Sequence, residues 1–415
     1  MRIYVQIASY RDPQLTLTIK SLLENSKYPE NLRIGIARQF HPDDKFDNLS
    51  NYESDERFKI LNIPHNESLG VCWARHLVQQ LYDNEEYTLQ IDSHMRFEKD
   101  WDETLINMLE ALKKDGYRKP LLTAYVSSFN PENDPNDRVK IPWRMVFDKF
   151  TPEGVVFFLP EAIPHWKHLE KPIPARFYSA HFCFTIGQFA LEVQHDPEFY
   201  FHGEEISIAA RAYTHGYDLF HPNKVIVWHE YTRKGRKKHW DDSPDWNQLN
   251  RESHRRNRVL FGMDNEVQNI DFGRFGFGKL RSLKDYEKHV GLLFEKRAVQ
   301  QYTIDKKYPP NPYEFNNEDE WKKSFASKIR YDIKLPKINL QEKDYEFFAV
   351  AFHNKKDETL YRKDADKTEI FNSFRTGDDF ITIRREFNNE QIPTYWVVWP
   401  YSKTKGWCDR LVGQI

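Results

Sequence analysis

Residues 87–97, YTLQIDSHMRF, are the stretch from which the fold of this chain is predicted. Residues 88–91, TLQI, predict a short strand between polar flanks, so Asp92 is expected at or just past the carboxyl end of that strand. In open α/β sheets, ligands bind at these strand ends. Asp92 and His94 are two residues apart, and both can reach one divalent ion if the backbone stays extended through Ser93.

The residue types at this strand end suggest a metal site. Carboxylate oxygen together with imidazole nitrogen suits Mn²⁺ or Mg²⁺ carrying a substrate phosphate, with Zn²⁺ as an alternative. In the competing interpretation, Asp92 caps the next turn and His94 lies on the surface. Because D-x-H is a short and common pattern, these three residues alone do not separate the two interpretations.

The N-terminal region predicts the opening half of a doubly wound, nucleotide-binding α/β fold. Strands are predicted at 3–8, 32–37 and 58–63. Between the first two strands, Asp12 and Pro13 predict the cap and first turn of a helix that ends before Pro29.

Ser68 is predicted to cap a second helix, with Arg75 near its first turns and off its apolar face. Gly70 at its start allows a ligand to approach the backbone closely. Helix N-termini attract anions, and an arginine strengthens that attraction. Arg75 is therefore either a phosphate-binding residue or an ordinary surface salt-bridge partner.

Further strands and helices follow, with a helix at 101–112, strands at 121–127, 178–186 and 224–228, and loops with short strands at 130–171. Gly203, Glu204 and Glu205 begin another helix, and the strand at 224–228 leads directly to His229. The segment 233–258 contains nine Lys or Arg against four Asp or Glu. We interpret its beginning, RKGRKKHW, as either a solvated loop or a lid over a phosphate.

Composition excludes several classes of protein. A net charge of −2 over 415 residues gives no general attraction to nucleic acid or acidic membranes, so no nucleic-acid partner is expected. Three widely spaced cysteines argue against a disulfide framework. The chain starts directly with a strand rather than a signal peptide, and no stretch approaches the roughly 20 apolar residues of a membrane span. We therefore expect a soluble, cytoplasmic protein with no transmembrane segment.

Three regions are predicted: a catalytic domain at 1–300, a proline-rich and charged linker with a short helix at 301–340, and a small β-rich accessory domain at 341–415. The sequence YPPNPY at 308–313 marks the boundary. In the last region, Trp396, Trp399 and Trp407 are interpreted as core residues or, alternatively, as a sugar-binding platform.

Jointly, these motifs resemble the metal-dependent glycosyltransferases of the GT-A fold. The D-S-H element, the Gly-Glu helix and the later strand ending in histidine are similar to those of the polypeptide N-acetylgalactosaminyltransferases. The closer resemblance is to glycosyltransferase family 60, the cytoplasmic hydroxyproline N-acetylglucosaminyltransferases and their bacterial relatives. That resemblance covers about residues 3–291 and rests on ASYRDP at 8–13, GVCWARH at 70–76, QIDSHMRF at 90–97, GEEISIAARAYTHGYD at 203–218, VWHEYTR at 227–233 and RSLKDYEKHVG at 281–291.

The resemblance implies an α/β GT-A domain. The small all-β domain predicted after it lies outside the resemblance, so its role stays open. The resemblance implies a UDP-sugar donor, with UDP-GlcNAc expected, and transfer with retention of configuration to a hydroxyl of a protein or glycan acceptor. Asp92, His94 and His229 would hold Mn²⁺ or Mg²⁺, with D-S-H as a DXD-like motif.

The resemblance also implies the remaining site residues. The nucleoside and phosphates would be surrounded by Ser9, Arg11, Gly70, Arg75, Asp92 and Ser93. The catalytic residues Glu204 and Glu205 would face the sugar and the acceptor. Because GEEIS is two residues shorter than the galactosaminyl pattern GENLEIS, their individual roles stay open.

Two alternatives stay open. An inverting polysaccharide synthase of the same fold would use Glu204 or Glu205 as general base. A GT-A scaffold without turnover would bind glycans through its tail. The sequence leaves the acceptor and the oligomeric state undetermined.

Overall fold

A computed structural model describes residues 1–267, 269–327, 329–387 and 391–415. The chain divides into two compact units. The first comprises Met1–Asp148, Phe158–Gly291 and Tyr302–Glu314, and the second comprises Lys149–Phe157, Leu292–Gln301 and Phe315–Ile415. Within the predicted linker 301–340, Tyr302–Glu314 belongs to the first unit, and Gln301 and residues 315–340 belong to the second.

The first thirteen strands are β1 (Ile3–Tyr10), β2 (Leu32–Phe40), β3 (Phe58–Pro64), β4 (Tyr87–Asp92), β5 (Met95–Phe97), β6 (Pro120–Thr123), β7 (Ser127–Ser128), β8 (Trp143–Phe150), β9 (Val156–Ala162), β10 (Ile173–Pro174), β11 (Phe182–Ile186), β12 (Asp218–His221) and β13 (Val227–His229). The first eight helices are α1 (Leu15–Glu24), α2 (Val71–Gln79), α3 (Trp101–Lys114), α4 (Phe189–Glu192), α5 (Glu204–Thr214), α6 (His239–Asp242), α7 (Trp246–Phe261) and α8 (Leu283–Val290).

The first unit is built on an eight-stranded sheet in the order β10-β12-β6-β11-β4-β1-β2-β3. Strands β4, β1, β2 and β3 are parallel, and β11 runs antiparallel between β4 and β6. The register pairs Ala8 with Asp92, so the chain leaves β1 and β4 at the same edge of the sheet. The predicted α/β architecture is confirmed.

The core of this unit lies between the sheet and α1 and α3. Val5 and Ile7 of β1 are fully buried, and Leu15, Ile19 and Leu22 of α1 pack in the same apolar cluster. Continuous apolar strands are expected in a parallel sheet, because helices cover both of its faces.

The cap predicted for the first helix is wrong. Helix α1 begins only at Leu15, and the side chain of Asp12 does not cap it. Instead, Asp12 Oδ1 accepts a hydrogen bond from the Gln14 N–H, and Oδ2 accepts one from the Ser93 hydroxyl at 2.7 Å. Asp12 is therefore directed toward the strand end that carries Asp92.

The cap predicted for the second helix is also wrong. Helix α2 follows Gly70, and the Ser68 hydroxyl donates to Gln39 Oε1. Gly70 has φ +112°, and a Cβ there would lie 2.9 Å from the Tyr200 ring. Among the described residues, it is therefore the Tyr200 ring that lies close to the Gly70 backbone.

Four other segments differ from the predicted pattern. Residues 130–171 contain the eight-residue strand β8 and the seven-residue strand β9 rather than only loops and short strands. The strand predicted at 121–127 stops at Thr123, and the one predicted at 178–186 begins at Phe182. Most of 233–258 is helical, in α6 and α7.

The elements that follow are β14 (Leu292–Leu293), β15 (Ala298–Gln300), α9 (Gln301–Ile304), α10 (Glu318–Lys323), β16 (Phe325–Ser327), β17 (Ile329–Pro336), β18 (Tyr345–His353), β19 (Thr359–Arg362), β20 (Ala365–Asp366), α11 (Lys367–Phe374), β21 (Phe380–Phe387), β22 (Tyr395–Ser402), β23 (Gly406–Trp407) and β24 (Leu411–Gln414). In the second unit β17 pairs with β21 along its whole length, and β18 pairs with β22. This unit is β-rich but includes helix α11, so it is not purely β.

The tryptophans of β22 face opposite ways, as alternation predicts. Trp396 packs on the backbone of Gly413. Trp399 is 39% exposed and lies 4.5 Å from the ring of Trp407, itself 45% exposed. Only Trp396 behaves as a packed residue, and the other two stack on each other at the surface.

No helix in the described part of the chain is long and apolar enough to cross a membrane.

Candidate active site

Two strand ends bring the predicted metal ligands together. Asp92 is the last residue of β4, and His229 is the last residue of β13. Strand β13 pairs antiparallel with β5 so that His229 lies opposite Met95, next to His94. One ligand atom from each of Asp92, His94 and His229 lies within 4.8 Å of the others.

The two imidazoles converge on one carboxylate oxygen. The distance to Asp92 Oδ2 is 3.5 Å from His94 Nε2 and 3.4 Å from His229 Nε2. The Asp92 side chain is 22% exposed, so a ligand can reach this oxygen. One carboxylate and two imidazoles form a donor set suited to a divalent transition ion such as Mn²⁺, so the residues present fit the metal.

The charge states also fit a cation. Burial lowers the pKa of His229 to about 4, so its ring is neutral at neutral pH, which is the form that binds metals. Burial would raise the pKa of Asp92, but Arg75 and the two histidines hold it well below its usual range. Asp92 is therefore ionised.

Asp12 supports the His94 ring from behind. His94 Nδ1 lies 2.7 Å from Asp12 Oδ2, which leaves Nε2 directed at Asp92. Metal-binding histidines commonly hold a carboxylate with their second nitrogen in this way. Arg236 completes the group, with its guanidinium 3.2 Å from Asp12 Oδ2 and 2.8 Å from Glu230 Oε2. Burial would raise the pKa of Asp12, but His94 and Arg236 keep it lowered.

Arg75 connects the strand end to helix α5. Its guanidinium binds Glu204 Oε1 and donates to Asp92 Oδ1 at 2.6 Å. Glu204 is also contacted by Cys72 Sγ at 3.2 Å and His195 Nδ1 at 3.2 Å. Although burial opposes ionisation, Arg75 and His195 lower the pKa of Glu204 to about 2. Arg75 is thus not a surface residue but a buried link between two carboxylates.

Glu205 has a different environment. Its Oε2 accepts a hydrogen bond from the Tyr125 hydroxyl at 2.6 Å, and its Oε1 accepts one from the Ala180 N–H at 3.0 Å. Burial raises the pKa of Glu205 to about 7. Adjacent carboxylates whose environments separate their pKa values often have different chemical roles.

The other predicted donor-site residues surround this edge of the sheet. Arg11 follows β1, with its guanidinium 2.7 Å from Asp44 and 2.9 Å from Asp242. Ser9 is buried, and within the described residues its hydroxyl has no hydrogen-bond partner. Ser93 is engaged with Asp12. The structure brings Arg11, Ser93, Asp92 and Arg75 to one sheet edge.

The segment 233–242 lies over that edge. Asp242 accepts hydrogen bonds from the Tyr10 hydroxyl and from Arg11, both at 2.9 Å. His239 Nε2 lies 2.9 Å from the Ser68 carbonyl oxygen. The basic segment is therefore joined to residues at the end of β1 and before α2.

Residue-by-residue reading of the sequence missed His181 and Tyr125. The His181 ring stacks on His229 at 4.3 Å and on Tyr125 at 5.2 Å, between the metal-ligand candidates and Glu205. Burial and the neighbouring His229 hold the pKa of His181 well below its usual value. A histidine next to the apolar strand sequence FCFTI was the available signal.

The family model that matches this chain agrees with the resemblance to glycosyltransferases. A family model described as "Glycosyltransferase (GlcNAc)" matches residues 2–57 and 48–296. No curated protein shows a significant sequence match to the chain.

Two solved structures are similar to this chain, and the first of them shows the similarity of fold. GalNAc-T7, crystallised with UDP, GalNAc and Mn²⁺, has 12% identity and a TM-score of 0.50, over 100% of this chain and 72% of that one. S. aureus TarS (residues 1–349), crystallised with UDP-GlcNAc, has 14% identity and a TM-score of 0.37, over 66% of this chain and 68% of that one. Because the family model spans more than half of the chain, this protein belongs to the family of GlcNAc glycosyltransferases.

Proposed function

We propose that the protein is a metal-dependent, retaining glycosyltransferase that moves GlcNAc from UDP-GlcNAc to a hydroxyl of a protein or glycan acceptor. The observation that carries this proposal is the convergence of His94 and His229 on Asp92 Oδ2 at the carboxyl edge of the sheet. The resemblance to glycosyltransferase family 60 supports the choice of donor, a hydroxyl acceptor and a cytoplasmic location.

Asp92, His94 and His229 would hold Mn²⁺, or Mg²⁺ in its place. When bound there, the divalent cation stabilises the negative charge that develops on the departing diphosphate. Asp12 keeps the His94 ring oriented, and Arg75 keeps Asp92 oriented and ionised. These contacts place the ligand atoms before the donor arrives, which removes a cost of ordering at the moment of binding.

The segment 233–242 is proposed as a lid over the donor diphosphate. Arg11 and Arg236 lie beside the metal-ligand candidates, and each is already held by carboxylates, Arg11 by Asp44 and Asp242, Arg236 by Asp12 and Glu230. A diphosphate would add favourable charge interactions with both guanidinium groups. Ser9 and Gly70 stay predicted donor-site residues on the strength of the resemblance alone.

Glu204 and Glu205 are proposed to have separate roles. Glu204 is ionised and bonded to Arg75, so we assign it to positioning Arg75. Glu205 is only half-buried, and we assign it to the sugar or the acceptor hydroxyl. A group with a pKa near the working pH is suited to accept or return a proton.

The raised pKa of Glu205 favours a second candidate, an inverting transferase of the same fold. A carboxyl group with a pKa of about 7 can act as the general base that an inverting displacement requires. NMR of the product distinguishes the two, because a retaining enzyme keeps the α anomeric configuration of UDP-GlcNAc and an inverting enzyme gives the β product.

The proposal is tested by incubating the protein with a panel of UDP-sugars, with and without Mn²⁺, and measuring UDP release. We expect release from UDP-GlcNAc that depends on the metal. Release that is unaffected by a chelator would overturn the metal assignment, and preference for another UDP-sugar would overturn the donor assignment.

A further inference from the structure

A second concentration of positive charge lies in the first unit, at a cavity bounded by β8, β10, β12 and residues 303–309. The cavity is narrow and open to solvent, so an anion would bind at its mouth. It shares no lining residue with the candidate donor and metal site, so it is a separate feature of the molecule.

Four cationic side chains line this cavity: Arg144, Arg176, Lys306 and Lys307. No acidic residue is among its described lining residues. Glu161, just outside the lining, lies 2.6 Å from Arg144 and 2.5 Å from Lys306. One carboxylate for four cations leaves an excess of three positive charges.

Arg176 is the most deeply placed of these cations, with 7% of its surface exposed. It donates to the Val290 carbonyl oxygen at 3.1 Å, to the Lys307 carbonyl oxygen and to Asn311 Oδ1 at 2.5 Å. All three acceptors are neutral, and within the described residues Arg176 has no carboxylate partner. A buried guanidinium without a counter-charge is costly, and an anion in the cavity would offset that cost.

The histidine that lines the cavity does not supply the missing negative charge. His221 Nδ1 lies 2.6 Å from the Thr123 carbonyl oxygen, and Nε2 accepts from the Met145 N–H. Both ring nitrogens are therefore occupied by backbone groups. Burial lowers the pKa of His221 to about 4, so the ring is neutral and the cavity has no internal anion.

We propose that this cavity is an oxyanion site that binds a phosphate group, with Arg144, Arg176 and Lys307 as its cationic wall. Guanidinium and ammonium groups form strong, charge-assisted hydrogen bonds with phosphate oxygens. Three excess positive charges match a phosphate dianion better than a single carboxylate.

The cavity is connected to the catalytic edge through its wall. Arg176 precedes Phe177, whose ring packs on Phe158 at 4.5 Å, and the same segment reaches Ala180, which binds Glu205. Two sources of phosphate fit this position: a phosphate carried by the acceptor, or a free phosphate ion acting as an effector.

Binding of inorganic phosphate to the full-length protein, measured by isothermal titration without metal or nucleotide, tests the proposal. Lys307 is exposed and has no ion pair in the described part of the chain, so Lys307→Glu is expected to leave the fold intact. Lys279→Glu, at an exposed lysine away from the cavity, is the matched control. We expect one saturable site, weakened at least tenfold by Lys307→Glu and unchanged by Lys279→Glu.

Absence of saturable binding, or equal binding by all three proteins, would overturn the proposal. Circular dichroism checks that Lys307→Glu is folded, and Arg144→Gln gives an independent second variant with the same expected loss. The source of the phosphate is then identified by two assays. A phosphate on the acceptor predicts a KM for a phosphorylated acceptor that rises at least tenfold in Lys307→Glu, whereas an effector role predicts that free phosphate changes the wild-type rate of UDP release and not the variant's.

Discussion

Glu204 and Glu205 are adjacent in the chain, yet their carboxylates lie in opposite electrostatic environments. Glu204 is bonded to the buried guanidinium of Arg75, whereas Glu205 is bonded to a tyrosine hydroxyl and one backbone N–H. The pKa values are lowered to about 2 and raised to about 7, respectively. Consecutive helix positions point about 100° apart, which is how one turn of α5 presents its two carboxylates to different neighbours.

The first prediction concerns the proposed metal ligands. His229→Ala should lower Mn²⁺-dependent UDP release by at least a hundredfold, because the third ligand is lost while the rest of the site remains. His168→Ala, at an exposed histidine, is the control and should behave like the wild type. Near-normal turnover of His229→Ala at saturating metal would refute the assignment.

The second prediction separates the two glutamates by pH. If ionised Glu205 is needed, the rate of GlcNAc transfer should rise with pH through about 7, and Glu205→Gln should lose both the rise and most of the rate. A pH profile of kcat/KM, with Glu204→Gln for comparison, measures this. An unchanged profile in Glu205→Gln would exclude the role.

The third prediction follows from the same pKa and concerns stability. Folded Glu205 holds its proton up to about pH 7, whereas unfolded glutamate releases it near its ordinary pKa of 4.5. The folded state therefore binds more protons between these values, and this contribution to stability is complete below pH 4.5 and lost as pH rises to 7. Glu205→Gln should raise the free energy of unfolding at pH 8 by about 2 kcal/mol relative to the wild type and change it little at pH 4.5. Chemical denaturation at pH 4.5 and at pH 8 tests the sign of this change in the free energy of unfolding.

Glu204→Gln, in contrast, should lower the free energy of unfolding. It removes the charge that faces buried Arg75, and breaking a buried ion pair costs about 3–5 kcal/mol. A melting temperature equal to that of the wild type would show that Arg75 does not depend on this contact.

A fourth prediction concerns His181. His181→Ala removes the ring that stacks on His229, so the Mn²⁺ concentration for half-maximal rate should rise by about tenfold, with a smaller loss at saturating metal. His181→Phe keeps an aromatic ring and should recover most of the affinity. Equal metal dependence in all three proteins would leave His181 as a packing residue only.

The last prediction tests the lid. Trypsin cleavage within 233–239 should slow when UDP and Mn²⁺ are added, because the diphosphate would hold Arg236 and Arg11. Asp242→Asn, which weakens the contacts to Tyr10 and Arg11, should speed that cleavage in the absence of ligand. Cleavage after Lys322 or Lys323, outside the segment, serves as the internal control. Equal rates with and without nucleotide would make the segment an ordinary surface element.

Much of the first unit could be predicted from local sequence patterns alone. The apolar runs that became β1, β2, β3 and β4 and the amphipathic helices α1 and α3 follow from periodicity, which depends on neighbours in the chain. The strand end at Asp92 followed from the same reasoning, and the D-S-H motif with the later His229 was recognised because such motifs are short and contiguous. The roles of these residues in turnover stay predictions.

Other properties depended on contacts between distant parts of the chain. Asp12 was predicted as a helix cap, but its carboxylate accepts from Ser93 and contacts His94. Arg75 resembled a surface residue by helix position, yet it meets a glutamate 129 residues later. Segment 302–314 was predicted as a linker and packs in the first unit.

The sequence by itself determined which residue types stand at the strand ends, since hydrophobic periodicity and a short polar motif are local properties. The tertiary structure alone decided that Glu204 is paired with Arg75 and that Nε2 of each histidine faces Asp92. It also decided that Arg176 is bonded only to neutral acceptors within the described residues. Burial and charges from distant segments determine the pKa values and the ion pairs. Neither burial nor these long-range contacts can be read from the residues that adjoin a position in the sequence.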